Sequence, residues 1–287
     1  MNPADDPSDN IRKKPPSQFI DNQYNICPKI VSQYIESVNV EWSSMLDFGC
    51  GQGIKALSLA LMHLEKTVVG VDITEAYQKA YEFARDHLHL TKMPENLRFY
   101  KITPGQSLGT IIKPDVIYNW SVLEHVERKL IPEIIQDMYQ SLNDKGLVFV
   151  QIAPLYFSPY GSHLRDYVSK PWAHLELSHE NLRLLVEDKD NEALSIEERN
   201  GRKWKFSQYE LLNKITASEL SDYFIAAGFD FEHKEINQIN ERPPMELLKI
   251  YNEEVLINHE IIYVLKKSQK LKKNFIFSFF DSESGAN

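Results

Sequence analysis

The stretch Met45-Leu46-Asp47-Phe48-Gly49-Cys50-Gly51-Gln52-Gly53 limits what this chain can become more than any other. A short apolar run ends in an acid, and three glycines then alternate with other residues. Ala56, Leu57, Leu59, Ala60 and Leu64 follow in a helix-like pattern. A strand that enters a glycine turn and leaves as a helix is how an α/β fold brings bare backbone against a nucleotide-like ligand. The glycine spacing narrows the ligand. A dinucleotide fingerprint, G-x-G-x-x-G, requires its last glycine at position 54, where Ile54 stands. The spacing here is D-x-G-x-G-x-G. Cys50 inside the turn reads as a small packed residue.

A second acid extends the pattern. Lys66-Thr67-Val68-Val69-Gly70-Val71-Asp72 reads as another buried strand with an acid at its carboxyl end. Asp72 lies 19 positions after Gly53. In a strand–helix–strand unit an acid at about that distance reaches the ribose of a bound nucleoside, where a carboxylate accepts from both hydroxyls. Asp72 also stands where it would cap a helix beginning near Thr74-Glu75. The two roles are compatible.

On these segments the chain resembles the class I S-adenosylmethionine-dependent methyltransferases, whose first motif has the D-x-G-x-G-x-G form. The resemblance spans roughly residues 30–267. It implies a doubly wound, Rossmann-like α/β fold with a seven-stranded sheet, mostly parallel with an antiparallel edge. Helices cover both faces, and a lid is inserted after strand five. It implies S-adenosyl-L-methionine as cofactor, held by Asp47, Gly49, Cys50, Gly51, Gly53, Asp72 and Ile73. Pro114 to His125 carries the fourth strand and its turn. Ligands of open parallel sheets bind beyond the carboxyl ends of the strands. In the family, the turn of Asn119, Trp120 and Ser121 borders the methionine part of the cofactor. Ser121-x-x-Glu124 is also a capping-box pattern, which would make Ser121 a helix start and leave His125 a structural residue just inside the helix. One departure stands out. The family often places an acid after strand three for the adenine amino group, but here the strand runs Phe99-Tyr100-Lys101-Ile102-Thr103-Pro104-Gly105. Thr103 or a backbone group must serve instead.

Strand and helix signals alternate along the middle of the chain, as a parallel sheet with helices on both faces requires. A leading helix is expected over 30–38. Strands are expected over 44–48, 67–72, 97–102, 116–120 and 147–152, with helices over 54–64, 75–88 and 131–142 between them. The cofactor-binding core is then 24–153. After a capping box at Thr216-Ala217-Ser218-Glu219 a helix runs to Ala227, and two closing strands lie over 229–236 and 260–266. They complete the core as 215–267.

Between these parts lies 154–214, an insertion rich in aromatics, histidine and charge. It leaves strand five at the ligand edge of the sheet. Such an aromatic segment with embedded polar groups is what a small-molecule pocket needs. It is similar to a subgroup of bacterial methyltransferases with a Tyr-x-Ser-Pro-Tyr-Gly-x-His and Pro-Trp-x-His-Leu pattern after strand five, matched here from Tyr156 to His163 and from Pro171 to Leu175. Two chemistries fit its polar residues. His163 or His174 can act as general base for an oxygen or nitrogen acceptor, with Asp166 orienting a histidine. Alternatively His163, Asp166, His174 and His179 hold a divalent metal, although their spacing matches no strong metal signature. The third reading makes the histidines structural and pairs Asp166 with Arg165.

Composition excludes several classes. The net charge of −9 argues against a nucleic-acid partner, which would need a basic footprint. Two cysteines are too few for a disulfide framework. Residues 1–23 are polar and expected to be flexible, with no leader-like apolar core, and no run is long enough to span a membrane. A cytoplasmic chain is therefore expected. The tail 268–287 follows a basic run with Phe275-Ile276-Phe277-Ser278-Phe279-Phe280, read as packing on the core in preference to touching a membrane surface or partner. The sequence thus points to methyl transfer to oxygen or nitrogen of a small molecule or glycan. The rivals are a non-catalytic cofactor-binding subunit and a protein or RNA methyltransferase.

Overall fold

The computed structural model describes residues 18–188, 191 and 193–268. The expectations for residues 1–17 and for the aromatic tail lie outside the described residues. A short helical lead, Gln18–Asp21 and a wider turn Asn22–Ile26, runs into α1, Cys27–Ser37. Then come β1 (Ser44–Phe48), α2 (Ile54–Met62), β2 (Thr67–Asp72), α3 (Gln78–Asp86), β3 (Leu97–Lys101), β4 (Val116–Trp120), α4 (Ile131–Ser141) and β5 (Leu147–Ile152). The insertion contributes α5 (His179–Glu187) and α6 (Ile196–Glu210). The chain returns with α7 (Ala217–Ala226), β6 (Phe229–Gln238) and β7 (Asn258–Lys267).

The seven strands form one sheet in the order β3-β2-β1-β4-β5-β7-β6. The first five are parallel, and β7 runs antiparallel to both β5 and β6. Strand order reverses between β1 and β4, and such a switch point opens a crevice at the carboxyl edge. Side chains alternate across the strands. Met45, Val68, Val116, Tyr118 and Phe149 pack on the face carrying α1, α2 and α3. Leu46, Val69, Ile117, Val148 and Tyr263 pack on the face carrying α4 and α7. Burial on both faces is why β1, β2, β4 and β5 read as near-continuous apolar runs. At the opposite edge burial pushes the Asp115 carboxyl up, but accepting from the backbone and hydroxyls of Ser43 and Ser44 and from Asn143 outweighs it, and together these bonds hold it below the usual range.

The capping box of α7 forms as expected: Thr216 Oγ1 accepts from the Glu219 amide, and the Glu219 carboxylate accepts from the Thr216 amide. The insertion has a small core of its own, Leu164, Ala173, Leu182, Val186 and Phe206. It is tied to the sheet at both ends. Near its start the Leu155 amide donates to the His259 carbonyl at 2.8 Å. Near its end the Asn213 side-chain amide donates to the carbonyls of Leu123 (2.6 Å) and Val126 (2.8 Å). Among the described residues no helix is long and apolar enough to cross a membrane.

Candidate active site

The glycine turn is built by backbone hydrogen bonds. The amides of Gly49 and Cys50 both donate to the Val71 carbonyl, at 2.9 and 3.0 Å, which folds the turn over the end of β2. Gly49, Gly51 and Gly53 all have positive φ, at 72°, 53° and 72°. A side chain at Gly49 would meet Val122 at 2.5 Å, and one at Gly53 would meet the Phe99 ring at 2.8 Å. At Gly51 a Cβ would meet nothing within 4 Å. The middle glycine therefore presents bare backbone to open space while its neighbours are packed.

Asp72 stands beside it. One carboxylate oxygen accepts from the Gly51 amide at 2.9 Å, and the other from the amide and hydroxyl of Thr74, both at 2.8 Å. Asp72 thus ties the turn to β2 and also caps the segment that follows it. Ile73, next in the chain, is an exposed apolar residue at the crevice. The turn after β3 lies alongside, because Asp72 pairs with Lys101 and the Asp72 carbonyl accepts from Ile102. Thr103 is exposed there, and its amide donates to Gln106 Oε1 at 3.2 Å.

Behind the turn is a set of buried polar groups. Asp47 is 1% exposed; one of its oxygens accepts from the Tyr118 hydroxyl at 2.8 Å and the other has no partner. Burial raises its carboxyl to about 6 against the opposing pull of the Lys55 ammonium. Asn119 is fully buried, donates weakly to the Phe48 carbonyl at 3.4 Å, and has an unpartnered Oδ1. Glu124 is 4% exposed with both carboxyl oxygens unpartnered. Burial pushes its carboxyl up to about 8, with Lys55 opposing. Lys55 is itself buried, in the first turn of α2, where the helix dipole opposes a cation. Sequence reasoning missed Lys55 and Glu124. The available signal was a single charge inside each apolar run, Ile54-Lys55-Ala56-Leu57 and Val122-Leu123-Glu124.

The Ser121 capping pattern does not form. Ser121 sits at φ 52°, the helix after it is one 3₁₀ turn over Leu123–His125, and the Ser121 hydroxyl donates to Gln151 Oε1 instead. Gln151 in turn donates to Glu260, which also accepts from Asn237. This chain of bonds crosses β4, β5, β7 and β6 at the carboxyl edge. Trp120 turns to the sheet face, stacked on Phe149 at 6.0 Å.

The insertion brings its histidines to the same edge. His163 Nε2 donates to the Pro154 carbonyl at 3.2 Å, and His174 Nε2 donates to the Tyr156 carbonyl at 2.7 Å. A carbonyl only accepts, so Nε2 carries the proton in each ring and Nδ1 carries the lone pair. Burial lowers both imidazoles to about 4. His163 meets His125 edge-on at 5.4 Å, joining the insertion to the turn after β4. Tyr156 meets His174 at 5.1 Å and stacks on Tyr209 of α6 at 6.3 Å. Asp166 is exposed and hydrogen-bonds neither histidine. His179 lies apart, paired with Glu210 at 3.0 Å. No group of three or more metal-binding side chains occurs among the described residues. A cavity of about 300 Å³ lies further along the edge, lined by Leu155, Phe157, Ile215 and Lys234, and none of the glycine-turn residues reaches it.

The Glu124 carboxyl gives a pH prediction. Its folded pKa is raised, so the stability it contributes is fully present below the ordinary glutamate range and is lost as pH rises through about 8. Glu124→Gln removes that dependence. The melting temperature of the variant minus that of the parent chain should increase from pH 5 to pH 9. A flat difference would mean that the carboxyl is not buried uncompensated.

The family described as "Methyltransferase domain" matches residues 21–234. The mitochondrial ubiquinone biosynthesis O-methyltransferase of Saccharomyces cerevisiae is 29% identical over 131 residues, 44% of this chain and 40% of that protein. The ribosomal protein L11 methyltransferase of Photorhabdus laumondii is 33% identical over 105 residues, 36% of this chain and 32% of that protein. The matched stretches thus span well under half of either relative. Among solved structures, an S-adenosylmethionine-dependent methyltransferase from Clostridium acetobutylicum has the same fold, with a TM-score of 0.52 at 12% identity, covering 87% of this chain and 96% of the other.

Proposed function

The chain belongs to the class I S-adenosylmethionine-dependent methyltransferases, and from that premise we propose that it transfers a methyl group to an oxygen or nitrogen of a small molecule or glycan. The observation that carries this reading is the open backbone at Gly51, flanked by the Asp72 carboxylate on one side and unpartnered buried oxygens on the other. These residues fit the cofactor. Asp72 already accepts three bonds and keeps acceptor capacity for one ribose hydroxyl, and Ile73 offers an apolar surface for the base. Asp47 Oδ1, Asn119 Oδ1 and Glu124 form a well of acceptors suited to an ammonium group, with the Lys55 ammonium near them for a carboxylate. When bound, S-adenosylmethionine supplies an activated methyl group on a sulfonium.

The remaining contributions come from the chain. In-line displacement depends on alignment of the acceptor atom with the methyl carbon and on exclusion of water. The insertion supports both roles, since Tyr156, His163, His174 and Tyr209 gather where β5 leaves the sheet. Nδ1 of His163 or His174 is the atom that takes the acceptor's proton or its hydrogen bond. The names of the two relatives point to different acceptors, one an O-methyl acceptor and the other a ribosomal protein. The polar and aromatic cleft favours the small molecule.

Calorimetry tests the cofactor reading. S-adenosylmethionine and its demethylated product should bind, and NAD should not; NAD binding of comparable strength sinks the assignment. Asp72→Ala should weaken cofactor binding by about 1.5–3 kcal/mol, the scale of hydrogen bonds to a charged group. Because Asp72 also holds the Gly51 amide, part of that loss reflects a looser turn. Unchanged affinity in a folded variant would place the ribose elsewhere. Production of S-adenosylhomocysteine with a pooled acceptor library then separates an enzyme from a binding subunit.

A further inference from the structure

The chain carries a net charge of −9, yet two lysines approach the imidazoles and the Tyr156 ring of the cleft beneath the insertion. Lys205 is felt by His125 and His163, and Lys214 by His174. Lys205 lies four residues before Tyr209 on α6, so the two share a helix face. Tyr209 is the residue that stacks on Tyr156. Lys214 places its ammonium 5.1 Å from the centroid of the same Tyr156 ring. Neither lysine closes an ion pair among the described residues. The nearby carboxylates are committed elsewhere. Glu210 binds Arg183 and His179, Glu219 binds Arg128 and caps α7, and Glu124 is buried with its carboxyl held largely in the neutral form at pH 7.

The backbone marks the same spot. Lys214 sits at φ 59°, a left-handed conformation unfavourable for a residue with a side chain. It is held there from outside. Arg128 Nη1 donates to the carbonyls of Asn213 and Lys214, both at 3.1 Å, and the Asn213 side chain is pinned to the turn after β4. His163 and Trp172 of the insertion have positive φ as well, at 60° and 54°. Strain maintained by surrounding bonds tends to cluster where a side chain must be aimed.

We propose that the acceptor carries an anionic oxygen group, a carboxylate or a phosphate, seated between Lys205 and Lys214 beside the faces of Tyr156 and Tyr209. The inference rests on the methyltransferase reading of the cleft and adds the charge class of its acceptor. Ammonium groups bind either anion as point charges, and the neutral imidazoles and phenols around them offer hydrogen bonds.

The test uses matched pairs on the full chain saturated with S-adenosylhomocysteine. 4-Hydroxyphenylacetate is compared with 4-hydroxyphenylacetamide, and phenyl phosphate with phenol, by ligand-observed NMR titration. In at least one pair the anion should bind on the order of tenfold more tightly, the scale of one charge-assisted contact. Which pair shows the preference separates carboxylate from phosphate. The preference should shrink at high salt and vanish in the Lys205→Gln/Lys214→Gln double variant. Both lysines lie at least partly exposed, so the variant should fold, and its S-adenosylhomocysteine affinity confirms that it has. The proposal is overturned if neither anion binds more tightly than its neutral partner, absence of binding in every arm included. It is also overturned if the preference survives the double substitution. Failure of S-adenosylhomocysteine to bind the parent chain would instead remove the methyltransferase reading.

Discussion

A Gly51→Val chain is expected to fold and to lose cofactor affinity by more than about 10²-fold, or ~2.7 kcal/mol. The two halves of that expectation have separate causes. The Cβ at position 51 would project into space where the protein has no atom within 4 Å, so core packing is untouched. A β-branched residue at φ 53° adds roughly 1–2 kcal/mol of local strain, which a chain of this size should survive. The intruding methyl groups would occupy the cradle between the turn and Asp72. Gly49→Val is the control with the opposite outcome. Its side chain would strike Val122 at 2.5 Å and should damage the fold first. Circular dichroism melts and calorimetry on both variants distinguish the cases. Parent-like affinity in Gly51→Val would show that the cofactor does not use this turn.

Alanine at His163 or His174 should lower turnover by about 10²-fold, the low end of the range for a general base, with cofactor affinity nearly unchanged. The low end is chosen because burial makes both imidazoles weak bases, at about 4. The same depression predicts a pH profile. An ordinary histidine near 6.5 would lose about tenfold in its neutral form by pH 5.5. Here the neutral form persists until pH approaches 4, so turnover should stay level from pH 7.5 to 5.5. The linked effect on folding has a definite sign. The folded pKa lies below the unfolded one, so the stability these rings contribute is present above about 6.5 and is lost as pH falls toward 4. Full turnover in both variants would reduce the two histidines to structural members of the insertion.

Much of the sheet was legible in the sequence, for a physical reason. Strands β1, β2, β4 and β5 are buried on both faces, so each is a near-continuous apolar run whose few polar members, such as Asp47, Asn119 and Gln151, fall near its carboxyl end, and their limits fall where the runs end. The glycine turn and Asp72 were legible because bare backbone at positive φ admits few residues other than glycine. The buried charges were not. Amphipathic reasoning sends Lys55 and Glu124 outward, and only the assembled crevice shows both of them inside. The Ser121 cap was misleading for a related reason: its hydroxyl finds Gln151, 30 residues away, before any helix forms. The insertion was the least readable part. Helices α5 and α6 bury few apolar residues and leave Leu184, Leu185 and Trp204 exposed, so their periodicity is faint. The His125–His163 contact depends wholly on how that segment folds back.

The insertion is held at its ends, by Leu155 to His259 and by Asn213 to Leu123 and Val126, and also in its middle, where the Trp172 indole donates to the Leu256 carbonyl. Part of it packs into a small core of its own, Trp172 packs instead with Leu247 and Leu256, and the residues that build the glycine turn lie outside it. If the insertion chooses the acceptor as proposed, exchanging it for another would require refitting the Trp172 seat as well as both ends, while the glycine turn could stay as it is.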